Sequence, residues 1–193
     1  KQGNFSMDYY ESVNGSLKKL GVNTYKVETK EGKLFVTRTV SYTNNTNELK
    51  EELQADAATL KPITRISGNS NQKTTVTFGA SAISEILDIK TNKKNKAITA
   101  VTNEAFDFAL HPVVVSALPL RSGYKAKIPV ITNDLSVSNL TIVEVKSNNH
   151  QSNQFGNRPV WDVTLIDDAA NNFFSYSIDK ATRKIWFAGM KIN

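Results

Sequence analysis

The run Phe173-Phe174-Ser175-Tyr176-Ser177-Ile178-Asp179-Lys180-Ala181-Thr182-Arg183-Lys184-Ile185-Trp186-Phe187-Ala188-Gly189-Met190 spells out a β-hairpin. Apolar and small polar residues alternate over its first half, so Phe174, Tyr176 and Ile178 share one face of a pleated strand. Asp179 to Thr182 form a four-residue loop whose leading carboxylate can bond its own backbone and start a turn. In the returning arm Trp186, Ala188, Met190 and Ile192 line one face while Ile185 and Phe187 load the other. An arm apolar on both sides predicts a strand covered by two layers.

The same pattern repeats towards the N-terminus. Val22 to Thr29 and Lys33 to Tyr42 flank Lys30-Glu31-Gly32, where glycine supplies the positive φ of a tight reversal. Phe5-Ser6-Met7-Asp8-Tyr9, Ile63 to Ser67, Lys73 to Ala80, Ile83 to Thr91 and Lys96 to Thr102 read as strands, as do Tyr124 to Thr132, Leu140 to Ser147 and Pro159 to Ile166. Glu48 to Leu60 fits two patterns: Leu49, Leu53, Ala57 and Leu60 match helical spacing, whereas Leu49, Glu51, Leu53 and Ala55 alternate as in a strand. Propensity favours the helix there. One short helix is expected over Val113 to Leu118, opened by Pro112 and stopped by Pro119.

Strands this closely connected cannot pair in parallel, because each parallel crossover consumes a dozen or more residues. The expectation is a mainly β fold: a strongly curved antiparallel sheet, a half-barrel of about ten strands, with one or two short helices on its concave side. No Pro/Gly/Ser-rich linker interrupts residues 1–193, which predicts a single β domain.

Composition removes many chemistries. There is no cysteine, so disulfides, thiolate metal sites and cysteine nucleophiles are excluded. The net charge of +6 is spread among Asn, Ser and Thr, with one knot at Lys90, Lys93, Lys94 and Lys96 that reads as a solvated hairpin tip. No nucleic-acid-binding module is recognisable. No apolar run is long enough for a membrane-spanning helix. The chain opens at Lys1 and reaches its first methionine at Met7, as removal of a secretory signal, or a cut made for expression, would leave it.

The two histidines, His111 before Pro112 and His150 in a polar stretch, show no metal-ligand spacing. His111 is expected to bond backbone at the helix entry, and His150 to lie in an exposed loop. No nucleophile elbow and no glycine-rich phosphate loop occurs, and the adjacent carboxylates Glu51-Glu52 and Asp167-Asp168 read as solvent-facing and turn charges. No catalytic residue, metal or cofactor is expected, and the chain does not read as an enzyme. What remains is apolar and aromatic: Trp161, Trp186, Phe174, Tyr176, Phe106, Phe108 and Tyr124 either fill a core or line a pocket in the curl of the sheet.

Three phrases carry a family resemblance. Asp56-Ala57-Ala58-Thr59-Leu60-Lys61-Pro62 resembles a D-x-x-T-L-x-P corner between strands. Ala117-Leu118-Pro119-Leu120-Arg121-Ser122-Gly123-Tyr124 is similar to an A-L-P-L-x-x-G-Y helix exit, and Tyr176 to Ile185 resembles the closing hairpin, of one uncharacterised family of exported bacterial envelope proteins. The resemblance implies that Glu48 to Ala55 is strand, and that the fold is like that of the periplasmic lipoprotein carriers, a curved half-barrel plugged by helices.

It further implies an exported protein, periplasmic or on the cell surface, that binds a lipid or other apolar ligand without catalysing a reaction. The side chains that would line such a site are Leu118, Leu120, Tyr124, Trp161, Phe174 and Trp186. The alternative is a protein–protein interaction module of an envelope assembly, with a filled core and an envelope protein as partner. Neither reading calls for nucleic acid or a transmembrane span.

Overall fold

The computed structural model describes residues 3–13, 16–43, 48–100, 104–132, 134–152 and 156–191. It is mainly β and antiparallel, with one short α-helix, as the residue pattern predicts. Its strands form two sheets, one of eight and one of six, and its contacts cluster into two compact units, 2–103 and 104–193. The described strands therefore outnumber the expected ten, because the hairpins close on two edges rather than running on in one sheet.

In the first unit, β1 (Gly3–Val13), β2 (Ser16–Lys30), β3 (Lys33–Tyr42), β4 (Leu49–Asp56), β5 (Pro62–Gly68), β6 (Gln72–Phe78), β7 (Ser81–Asp88) and β8 (Lys94–Ala100) pair in chain order. The ambiguous segment after Glu48 is strand β4, as the family resemblance implies. Val36 opposes Leu53, and Val27 opposes Val36 in turn, so one face carries a row that runs Val27, Val36, Leu53, Arg65, Val76, apolar except for the buried Arg65. Those valines and Leu53 are all buried, while Thr37, Thr39, Lys50 and Glu52 populate the opposite face. Period-two alternation thus fixes the register, since a one-residue slip would turn the whole row outward.

The second unit begins with β9 (Phe106–Asp107), a 3-10 turn at Phe108–Leu110 and helix α1 (His111–Ala117). Strands β10 (Ala126–Ile131), β11 (Val137–Ser152), β12 (Gly156–Asp167), β13 (Phe173–Asp179) and β14 (Ile185–Lys191) follow, ordered β14-β13-β12-β11-β10-β9 in a sheet that curls as a half-barrel. The two-residue β9 runs parallel to β10, and the intervening 108–125 segment with its helix supplies the long crossover that parallel pairing needs.

Helix α1 is seven residues with three consecutive valines at its centre, poor helix formers held by burial. Pro112 sits in its first turn, and His111, Val114 and Val115 form its buried stripe. Leu118 ends it in extended conformation.

The closing hairpin differs from its sequence reading in two respects. β14 is an edge strand rather than a covered one, and Phe187 and Met190 remain about half exposed, at 49% and 54%. The register also slips: Ser177 opposes Phe187 but Ile178 opposes Ile185, leaving Trp186 as the extra residue of a β-bulge. Ile185 consequently shares the face of Ala188 and Met190, not that of Phe187, because the bulge resets the alternation.

Candidate functional site

The inner face of the six-stranded sheet is assembled by register. Trp161, Val163 and Leu165 of β12 oppose Ile178, Tyr176 and Phe174 of β13, and Ser147, Val145 and Ile142 of β11 oppose the same three β12 residues. All but Ser147 and Trp161 are buried. The bulge at Val143 keeps Ile142 and Val145 on this face although they are three positions apart.

One end of the face is covered by the helix entry. His111 is 8% exposed and bonds Phe108 O through Nδ1 at 2.6 Å and the Tyr176 hydroxyl through Nε2. A carbonyl can only accept, so Nδ1 carries the proton, and a neutral ring then accepts at Nε2 from the Tyr176 O–H. Phe108, His111 and Phe174 pack around this pair with ring centroids 4.9–5.8 Å apart. The backbone bond expected of His111 is present, whereas His150 lies in strand β11 opposite Arg158 rather than in a loop.

The other end, towards the Asp179 turn, is built differently. Lys180 Nζ stands 4.2 Å from the centroid of the Trp161 ring and donates to Ser147 Oγ. Lys184 Nζ lies 4.4 Å from the Trp186 ring and the Arg158 guanidinium carbon 6.0 Å from it. Trp186 Nε1 donates to Asp179 Oδ2 at 3.2 Å. Burial pushes the Asp179 carboxyl up, but hydrogen bonds from Thr182, Trp186 and Ala181 together hold it below its ordinary value.

The six side chains singled out from sequence thus separate into groups. Phe174 and Leu120 are buried, the first against Phe108 and His111. Leu118 and Tyr124 are half-buried on the chain leaving α1, where Arg121 stacks 5.6 Å from the Tyr124 ring and Gly123 N donates to Val145 O at 3.0 Å. Trp161 and Trp186, both half-buried, lie towards the Asp179 turn but on opposite faces: Trp161 opposes Ile178, whereas Trp186 bonds Asp179 and lies by Arg158, on the face of Val160. That A-L-P-L-x-x-G-Y segment is a corner that ties the crossover to β11, with Gly123 at φ +73° making the turn.

Two further features lay outside the sequence reading. An open groove of about 560 Å³ runs where β10 ends beside β11, lined by Ser122, Gly123, Lys125 and Val143 to Ser147, and none of the six chosen residues lines it. In the first unit Arg38 Nη1 meets Glu51 Oε2 at 2.8 Å, and Arg38 Nε reaches Asn23. Glu51 is 9% exposed and so is not the solvent-facing charge expected of it. Its place between Leu49 and Leu53 on the apolar parity was the available signal. The lysine knot, by contrast, lies at an exposed turn and strand end.

Among the described residues no His/Cys/Asp/Glu group is arranged to hold a metal, and no helix is long and apolar enough to cross a membrane. These features define a curled antiparallel half-barrel whose inner face is apolar and aromatic, with Lys180 over Trp161 at one end. The chain belongs to DUF3108, a family of proteins of unknown function, whose model matches residues 4–191. No curated protein and no solved structure matches it.

Proposed function

We propose that the protein is a non-catalytic component of the cell envelope, periplasmic or on the surface, that holds a lipid or other apolar ligand against the concave face of its six-stranded half-barrel. The supporting observation is Trp161 at the end of an otherwise apolar face that it forms with Val163, Leu165, Ile178, Tyr176 and Phe174, its ring centroid 4.2 Å from the Lys180 ammonium. Tryptophan suits the boundary between an apolar body and a wet, charged rim. The resemblance carried by the three sequence phrases, which implies a carrier-like half-barrel, points the same way. Each methylene placed on the face adds about 0.8 kcal/mol, so affinity should change roughly fourfold per methylene.

A second reading, an interaction module of an envelope assembly, is favoured by the groove along β11. There Val143 to Ser147 extend past the end of β10, so an extended segment of a partner could pair beside them. Native mass spectrometry of the protein purified from envelope-expressing cells, with lipid extraction, separates the readings. A co-purifying lipid in stoichiometric amount supports the first. A protein free of lipid that takes up no fluorescent fatty acid contradicts it and favours the second.

A further inference from the structure

Strand β11 outruns its neighbour. β10 pairs with it from Val137 to Ile142, Gly123 N adds a bond to Val145 O at 3.0 Å, and β11 continues to Ser152, paired on its other side with β12. In a strand the N–H and C=O of one residue point to the same edge, and those of the next residue to the opposite one. Val145 O faces Gly123, so the N–H and C=O groups of Ser147 and Asn149 face that same edge, beyond the reach of β10. The Asn149 N–H is capped there by the preceding side chain, Asn148 Oδ1 accepting it at 2.8 Å. Ser147 instead lines the groove of about 560 Å³, and residues 146–149 are all exposed. An edge of this kind is a template for one more strand.

The charges beside the edge choose between partners. Glu144 and Lys146 neutralise each other at 2.8 Å, and Lys127 is paired with Asp168 at 3.6 Å. Lys125, which lines the groove, and Lys180 are in no ion pair among the described residues. Ser147 and Trp161 oppose each other on the inner face, and the Lys180 ammonium crosses the Trp161 ring to donate to Ser147 Oγ. Lys180 is thereby carried to the open edge, so a strand added beside Ser147 meets cations whose charge is not yet offset. Carboxylates on that strand complement them, and a basic strand is repelled.

We infer that the open edge of β11 accepts an extended acidic segment of a protein partner, which pairs with the Ser147 backbone and sets a carboxylate against Lys180. The inference rests on the interaction-module reading and adds to it the chemistry of the partner. An ion pair at the surface contributes little by itself, so backbone pairing supplies the binding and the lysines supply the choice.

The test titrates the intact protein with short capped peptides in which threonine alternates with glutamate, glutamine or lysine, and follows amide hydrogen exchange at Ser147 and Lys146. The expected result is that the glutamate peptide binds roughly threefold to fivefold tighter than the glutamine peptide, by a margin that shrinks in high salt. Exchange should slow at Ser147 and stay unchanged at Lys146, whose N–H faces β12. Lys180→Gln should remove most of the margin, and Ser147→Pro, which deletes an N–H on the open edge, should weaken binding of every peptide. The comparison of the peptides on the wild type holds even if a variant does not fold. Equal binding of all the peptides, with Ser147 protected, overturns the acidic partner and leaves strand pairing at β11 intact. Binding that leaves Ser147 exchange unchanged, or no binding of any peptide, overturns both.

Discussion

At the scale of the residue, one device recurs. Asp56, Asp88, Asp167 and Asp179 each begin a six-residue connection between strands in which the fifth residue takes positive φ: Leu60, Asn92, Asn171 and Arg183, at 54–61°. In each case the aspartate N–H bonds the carbonyl of the sixth residue at 2.8–2.9 Å. The carboxylate Oδ1 accepts N–H groups of the turn, from Ala58 and Thr59, from Thr91, from Ala169 and Ala170, and from Ala181 and Thr182. Short local acceptors of this kind make aspartate a turn initiator, and the D-x-x-T phrase of the family resemblance is this turn written in sequence.

The turn carboxylates also link stability to pH. Backbone bonds from Thr59 and from Thr91 lower Asp56 and Asp88, and the hydroxyls of Thr132 and Ser136 hold Asp134 at about 2. Since these folded values lie below the ordinary 3.8, the unfolded chain binds more protons between the two, and the stabilisation is complete above 3.8 and lost as pH falls through the folded values. Urea midpoints measured from pH 6 down to about pH 2 should therefore fall below about pH 4. Asp134→Asn, which keeps a turn-forming acceptor without a titrating group, should flatten part of that fall. An unchanged profile in the variant would refute the assignment.

At the scale of the element, what was legible in the sequence depended on whether a signal was local. The strand positions, the short helix between Pro112 and Pro119 and the closing turn at Asp179 are all local, and the structure has them. Ile83 to Thr91 read three residues too long because Asp88-Ile89-Lys90-Thr91 is itself the aspartate turn. The bulge at Trp186 was invisible because it is a mismatch between two strands, and no single strand records it. For the same reason the tryptophans were identifiable as aromatic candidates, but Arg158, which reaches Trp186 from another strand, was not.

The Arg38–Glu51 pair is the element-scale case with an energetic consequence. Arg38 and Glu51 oppose each other across β3 and β4 on the apolar parity, with side chains 32% and 11% exposed. Burial also pushes the neighbouring Tyr25 phenol up. Arg38→Met alone strands a largely buried carboxylate and should cost about 1–3 kcal/mol. The double change Arg38→Met/Glu51→Leu should recover most of that, since it removes both desolvation costs while keeping the volume. Urea unfolding of the three proteins checks this. A double variant as unstable as the single one would show that the pair itself, rather than an unpaired charge, is what the sheet needs.

At the scale of the whole molecule, the two sheets share one pattern of construction. Each is a succession of antiparallel hairpins; the first positions its buried ion pair Arg38–Glu51 by register, and the second places Lys180 and Lys184 in the turn after β13. In the six-stranded unit the inner face is filled by the helix entry at the Phe174 end and bordered by Trp161 and Lys180 towards the Asp179 turn. That asymmetry is why the proposed ligand is placed at the second end. It also makes the claim directly readable, because Trp161 and Trp186 are the chain's two tryptophans.

Quenching of the intrinsic tryptophan fluorescence by acyl chains brominated along their length is the most direct measurement of that claim. A ligand lying on the inner face brings bromine against Trp161, so the Trp161 share of the emission should fall saturably with brominated fatty acid and be restored by excess of the unbrominated chain. Emission that stays constant across the titration, while the same chains quench a tryptophan protein known to bind them, would contradict an apolar ligand at this site.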